Sequence, residues 1–361
     1  MSPLAMLLRP YSSRITFMQD VERTMGATMK RWQAKQAGRA HLELAEVAIP
    51  SPGAGEVLIR VSAVSLNYRE KLMLDGGGYL TAHQPFTPAS DMAGVVVAAG
   101  AGVQRFKEGA RVIANFQTDW VDGPVPRGTV RSLGGNAPGV LAEYVVMPEQ
   151  WLVASPETLD DVQASTLPCA GLTAWTSLVE LGGLRPGHTV VTQGTGGVSL
   201  FAVQLAAAMG AEVIVLSGDE DKLARVKALG AAHGIHRRHT PEWHTAVLEL
   251  TRGAGADHIL ELVGGDNLGR SVKALASDGR VSLIGVFEGF ESRFPVQPLF
   301  LSSGVIQGIF VGHRRGLENL VRAVDRLALK PVVDTVYSLD ALPTALEHLD
   351  RGPFGKLVIT A

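Results

Sequence analysis

Between Val190 and Ala206 the chain reads VVTQGTGGVSLFAVQLA. Gly194, Gly196 and Gly197 follow an apolar run, and apolar residues at helical spacing come next: Val198, Phe201, Ala202, Leu205, Ala208 and Met209. A strand, a glycine turn and a helix in that order read as a phosphate-binding turn, with a plain tight turn as the alternative. Gly194 permits the tight bend, and Gly196 lets the backbone approach a pyrophosphate, whose charge meets the free N–H groups of the helix start. The third glycine of the G-x-G-x-x-G pattern is here Ser199, small enough for a helix to lie close on a strand. The turn predicts a dinucleotide held by Gly194, Thr195, Gly196, Gly197 and Val198.

Which dinucleotide depends on the ribose end. NAD binders carry an acid about twenty residues beyond the turn. Here the second strand, VIVLS, ends in neutral Ser217; Lys222 lies just beyond, and Arg237 and Arg238 follow the next short strand. These groups suit the additional phosphate of NADP(H), which this reading favours over NAD(H). Asp219 argues the other way, and two solvated arginines are the alternative.

The elements that position the turn alternate. Strands Thr189–Thr192, Ala211–Ser217, His258–Val263, Val281–Val286 and Val305–Gly312 are separated by helical patterns such as 198–209 and 221–229. Repeated β–α units imply a parallel sheet covered on both faces. The earlier chain is different: Glu56–Asn67, Asp91–Gly100, Ala110–Phe116 and Leu141–Met147 read as short strands broken by Gly and Pro, as in a barrel. The segment 155–180 looks helical after Pro168, a further helix covers Gly316–Leu329, and short strands end the chain.

Bulk properties bound the rest. A length of 361 residues suits two domains. The net charge of −2, with no long basic run, argues against nucleic acid or an anionic membrane as the main partner. The single cysteine, Cys169, excludes an intrachain disulfide and any multi-cysteine zinc or iron–sulfur site. It fits a reducing compartment, read as the cytoplasm. No apolar run is long enough to span a membrane, and residues 1–28 read as a leader outside the folded domains.

The order of parts, with the stretches SLNYREKLMLDGGGY, PFTPASDMAGVV, TLPCAGLTAWTSLVE, QGTGGVSLFAVQLA and FGKLVI, resembles the medium-chain dehydrogenase/reductase superfamily. The nearest likeness is to its zinc-independent group of quinone oxidoreductase-like and zinc-less alcohol dehydrogenase-like members. The resemblance implies an α/β protein with a GroES-like β-barrel substrate domain from residues 29–154 and 312–361. A Rossmann doubly wound parallel sheet over 155–311 would bind the cofactor. It also implies a homodimer joined through the edge strand that contains Val305. Zinc-dependent members carry Cys-His where this chain has Asn67-Tyr68, and Gly-His-Glu where it has Ala89-Ser90-Asp91; only Cys169 keeps a soft ligand. Loop Gln117–Pro138 lacks the four cysteines of the structural zinc lobe. A catalytic zinc needs about three protein ligands, so neither zinc is expected.

The resemblance further places Asn67, Tyr68 and Thr173 beside the nicotinamide. Tyr68 is read as a proton donor or as cleft-wall packing, and Thr173 as a cofactor contact or a hydroxyl bonded to its own helix. Arg69 either lends positive charge or pairs with Glu70 or Asp91. Val263, Gly264, Gly285, Val286, Phe287, Phe310, Val311 and Gly312 lie at the carboxyl ends of strands, where such ligands bind. Lys356 matches a lysine that reaches the cofactor, with a surface strand position as the alternative. Histidines 233, 236, 239, 244, 258 and 313 show no ligand spacing.

Without a Lewis acid, an enone or quinone asks less of the protein than a simple ketone, because its developing charge is delocalised. The expected activity is NADP(H)-dependent hydride transfer to a small-molecule quinone or α,β-unsaturated carbonyl. The alternatives are zinc-less alcohol–carbonyl interconversion and a non-enzymatic NADPH-binding sensor or scaffold.

Overall fold

The computed structural model describes residues 28–361 apart from 37, 76–85 and 129–130. All but the last residue of the expected leader, and the loop Gly76–Gln84, lie outside the described residues. The architecture is α/β, with a Rossmann-type parallel sheet beside a GroES-like mixed sheet.

The parallel sheet runs in the spatial order His233–His236, Glu212–Ser217, Thr189–Gln193, Ala256–Glu261, Leu275–Leu283, Val305–Gly308. Its central strands are buried along nearly their whole length rather than on alternate residues. This is the pattern of a sheet covered on both faces. The strand order reverses between Thr189–Gln193 and Ala256–Glu261, and ligands of such sheets lie at that switch point. The strand expected over Val281–Val286 begins and ends earlier, at Leu275–Leu283. Gly285 and Val286 therefore belong to the loop beyond it.

The mixed sheet runs Val333–Ser338, Lys356–Thr360, Glu56–Ser65, Asp91–Ala99, Arg111–Ala114, Leu152–Ala154, and Tyr144–Pro148 also pairs with Glu56–Ser65. Val358 lies opposite Ser65, so the last strand of the chain inserts antiparallel beside one of its earliest. That pairing brings Lys356 under the segment Leu66–Asn67. Thr28–Ala34 and Leu42–Ala48 form a separate antiparallel pair.

One apolar core fills the mixed sheet, with Ile59, Met92, Leu152 and Leu357 among its members. A second joins Ile113 and Val153 of that sheet to Leu167, Leu172, Leu200 and Phe201 on the parallel-sheet side. Helix Arg314–Leu327 adds Leu317, Leu320, Val321 and Val324 to the same core. Their spacing gives one apolar stripe, which is why this helix settles between the sheets. The helical stretch after Ser155 starts at Asp161, before the expected point, and widens to a π turn over Leu167–Gly171. Pro168 has no N–H to continue a regular ladder there. Among the described residues no helix is long and apolar enough to cross a membrane.

Candidate functional site

Strand Thr189–Gln193 delivers the chain to Gly194 at φ 81°, where glycine is favoured over any L side chain. A Cβ at Gly194 or Gly196 would meet nothing within 4 Å, so the turn's outer face is open. Gly196 caps helix Gly197–Ala208 and offers no side chain to its first N–H groups. Those donors are free for an anion, and the turn fits a dinucleotide pyrophosphate. Ser199 is more than a small replacement: it is buried, and its hydroxyl donates to Gln193 O at 2.7 Å, tying helix to strand. Gly355 N donates to Thr195 O at 2.9 Å, which lands the last strand's approach on the turn.

Two residues the sequence reading passed over hold the switch point. Gln193 and Glu261 end the strands on either side of it, and Gln193 Nε2 donates to Glu261 at 2.9 Å. Glu261, fully buried, also accepts from Val263 N and Gly264 N at 2.9 Å each, from Asn267 Nδ2 at 3.0 Å, and from the Ser271 hydroxyl. Gln193 Oε1 accepts from Leu262 N at 3.1 Å. Bonds to a charged acceptor are the stronger ones, so loop Val263–Gly264 is rigidly placed. Their signal was a long polar side chain closing each of two strands built around an apolar pair, VVTQ and HILE. Gly285 lies flush on this loop: a Cβ there would stand 1.8 Å from Leu262 O. A Cβ at Gly312 would meet Thr176 Oγ1 at 2.5 Å. Phe310 is exposed, and Val311 holds φ 56°.

At the ribose end Ser217 is buried and accepts from Asp219 N at 3.3 Å. Asp219 Oδ1 accepts from Lys222 N at 3.0 Å, so this carboxylate caps helix Glu220–Lys227. The Lys222 ammonium, expected to face a phosphate, donates to Gly352 O at 2.5 Å. Arg237 and Arg238 lie against Gly218, their Nε atoms 3.4 and 3.0 Å from where its Cβ would stand. Neither guanidinium has a hydrogen-bond or ion-pair partner among the described residues.

The second cluster lies where the last strand meets segment 66–70. Lys356 is 4% exposed, far from the alternative of a surface lysine. Its stem packs on Gly197, whose Cβ would stand 2.5 Å from Lys356 Cδ. Its ammonium donates to Leu66 O and, at 2.6 Å, to Asn67 Oδ1. Asn67 Nδ2 lies 3.5 Å from Ser90 Oγ; Ser90 donates to Asp91 Oδ1 at 2.5 Å; and Asp91 Oδ2 accepts from Cys169 N at 3.0 Å. The three positions that hold zinc ligands in metal-dependent members, Asn67, Ser90 and Cys169, are thus gathered into one hydrogen-bonded chain with a lysine ammonium attached. Burial pushes the Asp91 carboxyl up, and the Lys356 charge opposes that shift. Burial likewise pushes Glu70 up against the pull of Arg69. The Cys169 thiol is pushed up by burial and by Asp91 beside it.

Helix Tyr68–Leu74 starts from Asn67, whose N–H donates to Glu70 Oε2 at 2.6 Å. Arg69 takes its acid-pairing role: Nη2 is 3.4 Å from Glu70 Oε1 and donates to Leu133 O, and the guanidinium lies 4.5 Å from the Phe116 ring centre. Its Nε and Nη1 are buried without partners. The Tyr68 ring lies 4.3 Å from that of Phe287, which is 57% exposed. Tyr68 opens the helix that follows strand Glu56–Ser65 of the mixed sheet, and Phe287 lies in the loop after strand Leu275–Leu283 of the parallel sheet. The Tyr68 hydroxyl has no partner among the described residues, and Thr173 is buried on the helix behind Cys169.

Two family models match the chain: the alcohol dehydrogenase GroES-like domain over residues 53–157 and the zinc-binding dehydrogenase domain over 197–328. A zinc-type alcohol dehydrogenase-like protein of Schizosaccharomyces pombe is 38% identical over 314 residues, covering 84% of this chain and 90% of the relative. A chloroplast envelope quinone oxidoreductase homolog of Arabidopsis thaliana is 30% identical, covering 89% and 94%. A solved structure provisionally named an alcohol dehydrogenase, from Sinorhizobium meliloti 1021, superposes with a TM-score of 0.90 at 55% identity, covering 93% of this chain and 99% of that one.

The buried charges make a prediction about stability. Lys356→Met leaves the buried acceptors Leu66 O and Asn67 Oδ1 without their donor and removes the nearby cation that Asp91 feels through space, and an unsatisfied buried polar group costs about 1–3 kcal/mol. Thermal unfolding should register that loss, and adding Asp91→Asn should recover part of it. A loss that Asp91→Asn leaves untouched would show that the ammonium is not electrostatically paired.

Proposed function

The chain belongs to the medium-chain dehydrogenase/reductase superfamily of oxidoreductases, and from that premise we propose that it moves a hydride between NADP(H) and a conjugated carbonyl, an enone or a quinone, without a catalytic zinc. The observation that carries this reading is the Lys356 ammonium hydrogen-bonded to Asn67. A zinc bound here would need ligands from Asn67, Ser90 and Cys169. The first already accepts from an ammonium and the second donates to Asp91, which leaves Cys169 as the one soft ligand. That donor set does not suit the ion. The zinc-type names of relatives describe those proteins, and they keep open a second reading, alcohol–carbonyl interconversion.

When bound, the nicotinamide supplies or accepts the hydride. The chain's own residues do the rest. Gly194, Thr195, Gly196, Gly197 and Val198 hold the pyrophosphate; Glu261 sets Val263 and Gly264 at the nicotinamide end; Thr173 lines the same wall. Tyr68 presents a hydroxyl with no partner among the described residues, which donates a proton to substrate oxygen, and its ring with Phe287 gives a flat acceptor an apolar face. Lys356 places positive charge behind Asn67, which favours negative charge developing on that oxygen.

The NADP(H) preference is supported by two arginines against Gly218 that have no ion-pair partner among the described residues and by Asp219 being engaged as a helix cap. Domain limits near residues 155 and 312 and a homodimer belong to the same proposal. Val296, Phe300, Leu301 and Val305 expose apolar surface on and beside the edge strand Val305–Gly308.

Three experiments test these statements. Arg237→Ala/Arg238→Ala should raise the KM for NADPH about tenfold or more and leave that for NADH unchanged; a wild-type preference for NADH overturns the cofactor assignment. With the best acceptor from an NADPH-depletion panel of enones, quinones, aldehydes and ketones, Tyr68→Phe should lower kcat about 100-fold. Unchanged turnover in both Tyr68→Phe and Asn67→Ala, or zinc in purified enzyme that Cys169→Ser removes, contradicts the mechanism. Light scattering should give twice the chain mass, and a monomer removes the dimer.

A further inference from the structure

We propose that Glu220, His236 and His239 form a site for a divalent transition-metal ion on the rim of the parallel sheet. Glu220 opens helix Glu220–Lys227, His236 ends strand His233–His236, and His239 follows in a turn whose N–H donates to His236 O at 3.0 Å. One ligand atom from each lies within 4.8 Å of the other two, and among the described residues this is the one such group of His, Cys, Asp and Glu. His239 Nδ1 is 3.9 Å from Glu220 Oε1. The His236 and His239 rings stack with centres 3.8 Å apart and planes 24° from parallel.

The hydrogen bonding already orients one ligand. His236 Nδ1 accepts from His239 N at 3.3 Å, which leaves Nε2 of that ring for an ion. Ligation places a metal in the plane of each imidazole, and two stacked rings do not share one. The exposed His239 ring therefore turns out of the stack on binding, a fast side-chain rotation that leaves the backbone in place. Two imidazoles and one carboxylate suit Zn2+, and by the usual order of affinities Ni2+ and Cu2+ as well. Mg2+ and Ca2+ prefer sites built of oxygen.

The two residues between the histidines are Arg237 and Arg238, whose side chains lie against Gly218. An ion here adds two positive charges to the rim those arginines already make basic. This consequence rests on the NADP(H) reading: the metal tightens binding of the ribose phosphate, and by reciprocity NADP+ tightens the metal.

The test is calorimetric titration of NiCl2 into the full, tag-free chain. We expect one saturable site, weakened at least tenfold by His236→Ala or His239→Ala and less by Glu220→Gln, with no response to MgCl2. These side chains are on the surface, so circular dichroism should be unchanged in all three variants. No saturable binding, or equal binding in the histidine variants, overturns the site. NADP+ should bind about fivefold or more tightly with Ni2+ present; equal or weaker binding overturns the coupling. Wild-type protein that binds NADP+ no better than NAD+ sinks the cofactor reading instead and leaves the metal titration to stand alone.

Discussion

An ammonium group taken out of water must find acceptors and opposite charge, and Lys356 finds them only because both sheets meet around it. Its strand is zipped to Glu56–Ser65, which sets its ammonium on Leu66 O and Asn67. Its stem lies on Gly197 at the mouth of the dinucleotide turn. One side chain thus links the mixed sheet, the glycine turn and the neighbourhood of the buried acids Asp91 and Glu70. An isolated buried charge is far too costly to persist. The geometry of the centre and the docking of the last strand are therefore one requirement.

Glu261 plays the equivalent part at the sheet's switch point. A lone carboxylate there would be expelled, but five donors from the end of the neighbouring strand, the following loop and a helix hold it. The reward is rigidity at the carboxyl edge, where a cofactor must find its partners already in place. Ser199 closes the same network from the helix side.

Between these two knots lies the shared apolar core of Ile113, Val153, Leu172, Leu320 and Val324. It fixes how the sheets face each other, and so which side chains meet across the cleft. Tyr68 and Phe287 are far apart in sequence and touch for that reason.

The sequence by itself determined the nucleotide turn, the alternating β–α order and the β-rich half, because each is a local pattern: glycine spacing, period-3.6 stripes, apolar runs between turns. It also marked Asn67, Tyr68 and Cys169 through motif position, and Arg237 and Arg238 through charge. The tertiary structure decided what those residues do. It sent Lys222 to a carbonyl on a distant loop, turned Asp219 into a helix cap and buried Lys356 against Asn67. It gave Glu261 its donors, and it brought Glu220 from a preceding helix to a pair of histidines whose spacing carried no signal. Partners of buried and clustered polar groups come from elements distant in the chain, and their meeting is fixed by strand pairing and core packing, which no local pattern encodes.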